Sequence, residues 1–276
     1  MSAGAAQSDP ALETAAIRGR IGGDPANLTQ AYRVQLAALE QVLSGCGHAP
    51  AGAHPSLSLL DIPATLQTGT PRHPVEMHGP LDIASSLTEN LLLEYTDGMP
   101  AADVGWGCVD GATLRGLMQL HSADEDIKDR TFAIARTDSA NLLQHMVLAM
   151  QQQVAGKAVA GAPGNPGDRL LILSGHDTNV ATVAGTLYLG WILDGRRDDT
   201  PPGGALVFEL WRANSGAWSV RVDYMAQTLE QMRSAQVLTL ATPPDRVPVF
   251  VPGCSRSDSS CSWQDFAATI HRALEP

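Results

Sequence analysis

Hydrophobic positions in the first half of the chain recur at helical spacing. Over residues 27–43, "NLTQAYRVQLAALEQVL", they place six side chains on one face: Leu28, Ala31, Tyr32, Leu36, Leu39 and Leu43. Residues 81–97 show a second such pattern, followed by Gly98, a residue type that commonly ends a helix. Two more helical patterns run through "GATLRGLMQLHS" and "SANLLQHMVLAMQQQV". The first half is therefore predicted to be helical, with a connection rich in proline, glycine and serine at residues 47–74.

The second half changes to strand-like patterns after the turn-rich stretch "GAPGNPGD" at residues 161–168. Leu170–Ser174 is a short, nearly uninterrupted apolar run, which is typical of a strand buried on both faces. A helix is predicted from Thr178 to about Leu189, and residues 194–204, "DGRRDDTPPGG", are predicted to form an exposed loop. "ALVFELWR" and "WSVRVDYMAQ" predict two further strands. This order of elements indicates an α/β layer.

The composition is that of a folded protein and restricts its partners. The chain has 276 residues, of which 44% are hydrophobic and 17% are charged. Its net charge of -11 argues against nucleic acid and anionic membranes as partners. The sequence has no run of 18 apolar residues. The first twenty residues lack the basic and apolar blocks of a signal peptide, so the chain as written is expected to carry no export signal.

Two of the four cysteines lie close together in a polar loop. Cys254 and Cys261 are separated by six residues in "PGCSRSDSSCSW". This favours a disulfide that pins the loop, and hence an oxidising compartment, over two free thiols. Cys46 and Cys108 could pair with each other, stay free, or have lost their partners.

The turn between the Leu170–Ser174 strand and the following helix carries Gly175, His176 and Asp177. In open α/β sheets ligands bind beyond the carboxyl ends of the strands, and the free N–H groups at a helix start attract anions. A carboxyl group there can donate a proton to a leaving group, and a histidine beside it can hold an anion. Taken alone, however, the dipeptide more often marks a helix-capping aspartate next to an ordinary turn histidine.

Several segments resemble one family in both order and spacing. "SGHDTNVATVAGTLYLGWILDG", "TPPGGALVFELWR" and "QTLEQMR" resemble the histidine acid phosphatases, in particular the bacterial phytase and glucose-1-phosphatase branch. "LTENLLLEYTDGMP", "GWG" at 105–107, "LMQLH" and the C-terminal cysteine loop are similar to the same branch. The resemblance runs from about residue 17 to the end. It implies an incomplete histidine-phosphatase-like α/β sandwich domain with an inserted, mainly helical domain. The helical domain is expected at residues 1–125 and the C-terminal part of the α/β domain at 126–276.

The resemblance also implies roles for individual residues. Asp177 would protonate the leaving alcohol, His176 would contact the phosphate, and Thr178 would lie at the pocket. Glu89 and His121 would be pocket residues as well, although a solvated helix carboxylate and a capping or surface histidine explain them equally well. The implied ligand is a phosphomonoester, with no metal or cofactor, and the implied compartment is the periplasm.

The family's nucleophile is a histidine in an Arg-His-Gly-x-Arg-x-Pro motif, and no Arg-His-Gly occurs in this sequence. The Arg72-His73 step is followed by Pro74 in a predicted surface loop. A further family arginine corresponds to Asp138, with Arg136 nearby. We therefore expect the C-terminal two-thirds of a phosphatase that works through a phosphohistidine and is weak or inactive alone. The alternative is a non-catalytic module that binds phosphorylated ligands, or an inert relic.

Other hydrolase chemistries lack their motifs here. A Cys-x5-Arg phosphatase loop is missing, because Leu114 and Ser260 stand six residues after Cys108 and Cys254. Gly156-Lys157 is followed by alanine, so it does not form a nucleotide-binding phosphate loop. No G-x-S-x-G or H-E-x-x-H pattern occurs.

Overall fold

The computed structural model describes residues 7–47, 58–70 and 72–275. The helices are α1 (Pro10–Arg20), α2 (Ala26–Ala31), α3 (Arg33–Leu43), α4 (Pro80–Thr96), α5 (Gly111–Lys128), α6 (Phe132–Ala155), α7 (Asp177–Leu187), α8 (Leu229–Arg233) and α9 (Trp263–Leu274). The strands are β1 (Thr65–Thr70), β2 (His73–His78), β3 (Ile192–Leu193), β4 (Arg196–Arg197), β5 (Ala205–Arg212), β6 (Trp218–Ala226), β7 (Asp245–Pro248) and β8 (Ser260–Ser262). Within this described part, none of the helices is long and apolar enough to cross a membrane.

The helical part is built around α3, α4 and α5, whose apolar faces share one core. Leu36 and Leu39 of α3 and Leu114 and Leu120 of α5 are completely buried in it. The predicted helix over residues 27–43 is divided into α2 and α3, because the backbone of Tyr32 leaves the helical region (φ -104°, ψ 17°). The helices predicted at 81–97 and at "GATLRGLMQLHS" are confirmed as α4 and the first two-thirds of α5.

The predicted connection at residues 47–74 holds more structure than the sequence suggested. Residues 48–57 and 71 of it lie outside the described residues, but Thr65–Thr70 and His73–His78 form the antiparallel pair β1–β2, in which Leu66 pairs with Met77. Both side chains are buried in a small cluster with Ile17 and Ile21. That burial explains why a segment rich in turn residues still forms strands. Arg72 and His73 are exposed, as predicted, although His73 begins β2.

The α/β part has an antiparallel sheet with the order β5-β6-β7, and β8 also pairs with β6. The predicted strands "ALVFELWR" and "WSVRVDYMAQ" are confirmed as β5 and β6. Val220, Val222 and Tyr224 of β6 are buried against Leu143 of α6 and Phe266 of α9. The α/β class with an additional helical part is thereby confirmed. The domain boundary at residue 125 falls inside α5 and stays a prediction.

The predicted strand at Leu170–Ser174 is wrong for the structure of this chain. The segment is not part of a strand, and all four of its large apolar side chains are exposed. A run that is apolar on both faces forms a buried strand only when other strands pair with both its edges. Among the described residues none does so, and the backbone groups of residues 170–175 make no hydrogen bond within them.

The predicted exposed loop at residues 194–204 is also wrong in part. Arg196, Asp198 and Asp199 in it are buried. Arg196 Nη1 lies 2.5 Å from Asp199 Oδ2, and Asp198 Oδ1 accepts a hydrogen bond from the Trp191 backbone N–H at 2.8 Å. The charges can be buried because they compensate one another and bond to backbone groups. Composition alone does not reveal that compensation.

Both cysteine pairs are disulfides. Cys254–Cys261 confirms the favoured prediction, with the Cα atoms 5.3 Å apart. Cys46–Cys108, which the sequence left open, joins the short turn after α3 to the residue after the Val104–Gly107 turn, with the Cα atoms 6.1 Å apart. The second disulfide therefore cross-links two connections on the rim of the helical core.

Candidate active site

The His-Asp turn is fixed by the start of α7. His176 is the N-cap residue and has an extended backbone conformation (φ -111°, ψ 170°). Its backbone N–H donates a hydrogen bond of 2.9 Å to Asn179 Oδ1, and its carbonyl accepts one of 3.0 Å from the Asn179 backbone N–H. Asn179 thus performs the reciprocal half of a capping box. The side chain of one residue, Asn179, holds the turn in place.

Gly175 makes this arrangement possible. A Cβ atom at that position would lie 2.6 Å from Asn179 Oδ1, closer than such contacts occur. Any larger residue would push the capping amide away from the His176 N–H. Gly175 therefore leaves room for the side chain that caps α7.

The two residues of the motif differ in exposure. His176 and Thr178 are exposed, whereas Asp177 is half-buried at the first position of α7. Asp177 Oδ1 accepts a hydrogen bond of 2.6 Å from the Thr178 backbone N–H. The motif therefore presents a histidine to solvent and a carboxyl group at the boundary between solvent and the protein interior.

Carboxyl groups from α5 and α6 lie close enough to Asp177 to affect one another. Burial raises the pKa of Glu125 to about 9, and the charges of Asp129, Asp177 and Asp199 add to the rise. Burial also raises the pKa of Asp129 to about 7, with further contributions from Asp124, Asp177 and Asp138. At neutral pH Glu125 is thus a neutral acid. Asp138, which the resemblance matched to a family arginine, belongs to this acidic surrounding.

His121 is held in the interior between α4 and α5. Its Nδ1 lies 3.0 Å from Ser85 Oγ, and its Nε2 lies 3.7 Å from Glu125 Oε1. The Thr200 hydroxyl lies 3.0 Å from both oxygens of Glu125. Glu125 therefore links His121 to the loop that follows β4. Pocket membership of His121 stays a prediction, but the structure does not show it as a surface histidine.

Glu89 is exposed on α4, one helical turn after Ser85. Within the described residues it makes no hydrogen bond or ion pair to His121, His176 or Asp177. Its role in the pocket stays a prediction.

Two arginines in and just before α6, Arg130 and Arg136, are engaged with groups other than the His-Asp turn. Arg130, close in sequence to Asp129, bonds to the Leu189 carbonyl and lies 3.5 Å from Asp198. Arg136 donates to the Glu275 carbonyl at 2.8 Å. In the described part of the chain no arginine or lysine forms an ion pair with Asp177. Within the described residues the Asp177 carboxyl group is therefore not neutralised by an ion pair.

Other features of the described residues do not suggest a different centre. They contain no group of three histidine, cysteine, aspartate or glutamate side chains that could hold a metal ion. A cleft of about 360 Å³ lies beside α2, lined by Thr29, Arg33 and Asp61, on elements other than those of the His-Asp turn.

The helix that starts at a His-Asp pair, packed on an antiparallel sheet and joined to a helical part, defines the class: this chain belongs to the histidine acid phosphatase family. It is 34% identical over 286 aligned positions to the phytase AppA of Escherichia coli (strain K12), covering all of this chain and 65% of that protein. A glucose-1-phosphatase of Providencia rettgeri is 29% identical, covering 71% of this chain and 46% of the relative.

A solved structure agrees with these sequence matches. The phytase of Hafnia alvei, in complex with myo-inositol hexakis sulphate, has a TM-score of 0.85 and 33% identity, over 99% of this chain and 67% of that one. No family model matches the chain. The chain thus spans about two-thirds of the relatives that it matches over its whole length.

Sequence reasoning missed three residues that shape the site: Asn179, Glu125 and Asp129. Asn179 stands three residues after the N-cap, a position where a reciprocal cap could have been recognised. Glu125 and Asp129 lie in the acidic run "SADEDIKD", which resembles a solvated helix face. Only the packing of α5 against the loop after β4 shows that Glu125 is buried.

Proposed function

We propose that this chain provides the proton-donating part of a phosphomonoester hydrolase of the histidine acid phosphatase type. Asp177 protonates the leaving alcohol, and His176 contacts the phosphate. The observation that carries the proposal is the fixed turn at the start of α7, with Asp177 half-buried beside carboxyl groups of raised pKa. The phytase and glucose-1-phosphatase relatives support phytate or sugar phosphates as the substrate class.

The proposed reaction proceeds through a phosphohistidine. The resemblance places that histidine in an Arg-His-Gly motif, which this sequence does not contain. Phosphoryl transfer to that histidine breaks the P–O bond to the alcohol, and the oxygen takes a proton from Asp177. Water then attacks the phosphorus of the phosphohistidine, the P–N bond breaks to release phosphate, and the Asp177 carboxylate takes a proton from the attacking water. The chain alone is expected to turn over slowly or not at all, because its sequence contains no Arg-His-Gly nucleophile motif.

We propose a periplasmic location from the resemblance to the family, and the two disulfides support an oxidising compartment.

The test uses leaving groups of different basicity. We would replace the matching part of the Hafnia alvei phytase with this chain and assay phytate and p-nitrophenyl phosphate between pH 4 and 6. An alkoxide needs a proton from Asp177 to leave, whereas p-nitrophenolate is a stable anion. Asp177→Asn is therefore expected to reduce phytate hydrolysis by roughly 10²–10⁴-fold and p-nitrophenyl phosphate hydrolysis much less.

Controls separate the roles of the two motif residues. Asp97→Asn, on an exposed carboxylate after α4, should change neither rate. His176→Ala should reduce the hydrolysis of both substrates by a similar factor, because a phosphate contact does not depend on the leaving group. Equal losses on both substrates in Asp177→Asn would refute the role of general acid. A hybrid that binds myo-inositol hexakis sulphate but hydrolyses neither substrate would favour the non-catalytic alternative.

A further inference from the structure

A buried contact joins the helical part to the α/β part close to the His-Asp turn. Its members are Glu125 of α5 and Thr200, which lies in the loop 198–204 after β4. The Thr200 hydroxyl donates to the carboxyl group and lies 3.0 Å from both of its oxygens. Because a carboxyl group loses its hydration in the interior, an apolar side chain would be more stable at position 125. The contact is therefore explained by what it connects rather than by stability.

The contact with Thr200 persists throughout the acidic range, because Glu125 stays protonated there. Burial raises its pKa to about 9. His121, on the same helix, places Nε2 3.7 Å from Glu125 Oε1. Four further titrating groups lie close enough to interact with Glu125 through their charges: Asp129 after α5, Asp177 of α7, Asp199 of the loop and Tyr224 of β6. Three of them are carboxyl groups, whose negative charges also oppose the ionisation of Glu125.

The loop 198–204 is bonded in turn to the connection between α7 and β3. Asp198 Oδ1 accepts a hydrogen bond of 2.8 Å from the Trp191 backbone N–H, and the Asp198 N–H donates one of 3.0 Å to the Trp191 carbonyl. The Trp191 indole N–H donates to the Asp199 carbonyl at 3.2 Å. These hydrogen bonds tie the connection to the two residues directly before Thr200. A displacement of the loop is therefore transmitted to the C-terminal end of α7.

Asp177 is the first residue of α7, so a shift of the helix carries its carboxyl group along. The helix has 11 residues joined by internal hydrogen bonds, and it moves as a unit. Proton transfer requires the donor within hydrogen-bond reach of the leaving oxygen, and a displacement of about 1 Å lowers such rates by up to about 10²-fold. The placement of α7 therefore bears on the proposed proton transfer.

We propose that Glu125 is a positioning residue for Asp177, acting through its hydrogen bond with Thr200 and through the loop 198–204. The inference rests on the proposed function, in which Asp177 protonates the leaving alcohol. Glu125 neither contacts the substrate nor transfers the proton. Loss of its contact with Thr200 lets α7 shift, which slows the hydrolysis of esters that need this proton and spares esters that do not.

The test uses the hybrid phytase with phytate and p-nitrophenyl phosphate as substrates. Thr200→Val removes the hydroxyl and keeps the shape of the side chain. It should lower kcat for phytate by roughly 10–10²-fold with little change in KM, and change p-nitrophenyl phosphate hydrolysis by less than about threefold. Glu125→Ala should give the same pattern. Glu125→Gln, whose carbonyl still accepts the Thr200 hydroxyl, should keep a rate close to that of the wild type.

The matched control is Thr96→Val. Thr96 is also half-buried, but its hydroxyl donates to the Leu92 carbonyl within α4 at 2.8 Å. This variant should change the hydrolysis of neither substrate.

Hydrogen exchange on the full chain alone measures the position of the turn without any catalysis. The backbone N–H groups of Asn179 and Val180 both donate to the His176 carbonyl, at 3.0 and 3.4 Å. Exchange of these two amides should become about tenfold faster in Thr200→Val and stay unchanged in Glu125→Gln.

Equal losses on both substrates in Thr200→Val, or no loss, would overturn the positioning role. Unchanged exchange of the Asn179 and Val180 amides would do so as well, as would equal damage by Glu125→Gln and Glu125→Ala. Leaving-group dependence in Asp177→Asn without it in Thr200→Val would keep the proposed function and refute the positioning role. If Asp177→Asn affects both substrates equally, the proposed function fails, and faster or unchanged exchange then decides whether Glu125 holds the turn.

Discussion

Replacing Glu125 by glutamine removes a buried titrating group and keeps its shape. Glu125 is 6% exposed, and the Thr200 hydroxyl bonds to it at 3.0 Å, a contact that a glutamine carbonyl also accepts. Folding raises its pKa from 4.5 to about 9, so the folded state holds a proton that the unfolded state releases. The wild-type protein is therefore most stable, with respect to this group, below pH 4.5 and loses stability as the pH rises toward 9.

The magnitude follows from the size of the shift. Each pH unit between the two pKa values costs about 1.4 kcal/mol, and between pH 5 and 7 the loss is about 2.5 kcal/mol. This window lies below the raised pKa, so the slope there depends little on its value. Glutamine has no such dependence. The free energy of unfolding of Glu125→Gln, minus that of the wild type, is expected to rise by about 2.5 kcal/mol from pH 5 to 7.

Urea unfolding at pH 5, 6 and 7 measures this difference. Glu76→Gln, on an exposed carboxylate of β2, is the matched control and should give a difference that is independent of pH. If the Glu125→Gln difference were also flat, Glu125 would already be ionised in the folded protein at pH 5, and our explanation of the acidic cluster would be refuted.

Three further predictions concern the cap, the glycine and the cross-links. Asn179→Ala should lower the free energy of unfolding by about 1 kcal/mol in urea titrations, and no change would show that the amide does not cap α7. Gly175→Ala should destabilise by about 1 kcal/mol because its Cβ displaces that amide, whereas Gly116→Ala, with no atom within 4 Å in α5, should stabilise by about 0.5–1 kcal/mol. Equal effects of these two alanines would contradict the steric argument. Removing Cys46–Cys108, with a sequence separation of 62, should lower the free energy of unfolding by about 4 kcal/mol. Removing Cys254–Cys261, with a separation of 7, should lower it by about 2–3 kcal/mol. The reverse order would count against loop closure as the cause.

Elements with a local periodic pattern could be predicted closely. β5 begins and ends at the predicted residues because Ala205–Arg212 is bounded by glycines and a turn and pairs with β6 along its whole length. α7 begins within one residue of its predicted start because the N-cap region carries its own local hydrogen bonds. In both cases the residues that decide the structure are neighbours in sequence.

Leu170–Ser174 shows why the remainder could not be predicted. Its apolar pattern is the pattern of a buried strand, but strand formation depends on partners distant in the chain. The apolar pattern suits a position between two other strands, and the described residues provide no strand that pairs with this segment. Glu125 is the opposite case. Its acidic neighbours in the sequence predict a solvent-exposed helix face, whereas packing against Thr200 buries it.

The raised pKa of Asp129 has a consequence for the approach of anionic ligands. Below about pH 7 Asp129 is largely neutral, and above that pH it adds a negative charge. Asp124, Asp138 and Asp177 lie close enough to affect Asp129, and the nearby Lys128 is paired with Asp124. A phosphate ester entering this region meets increasing repulsion as the solution passes through neutrality. Acidic conditions are therefore expected to favour the approach of the proposed phosphate ester, before any chemical step.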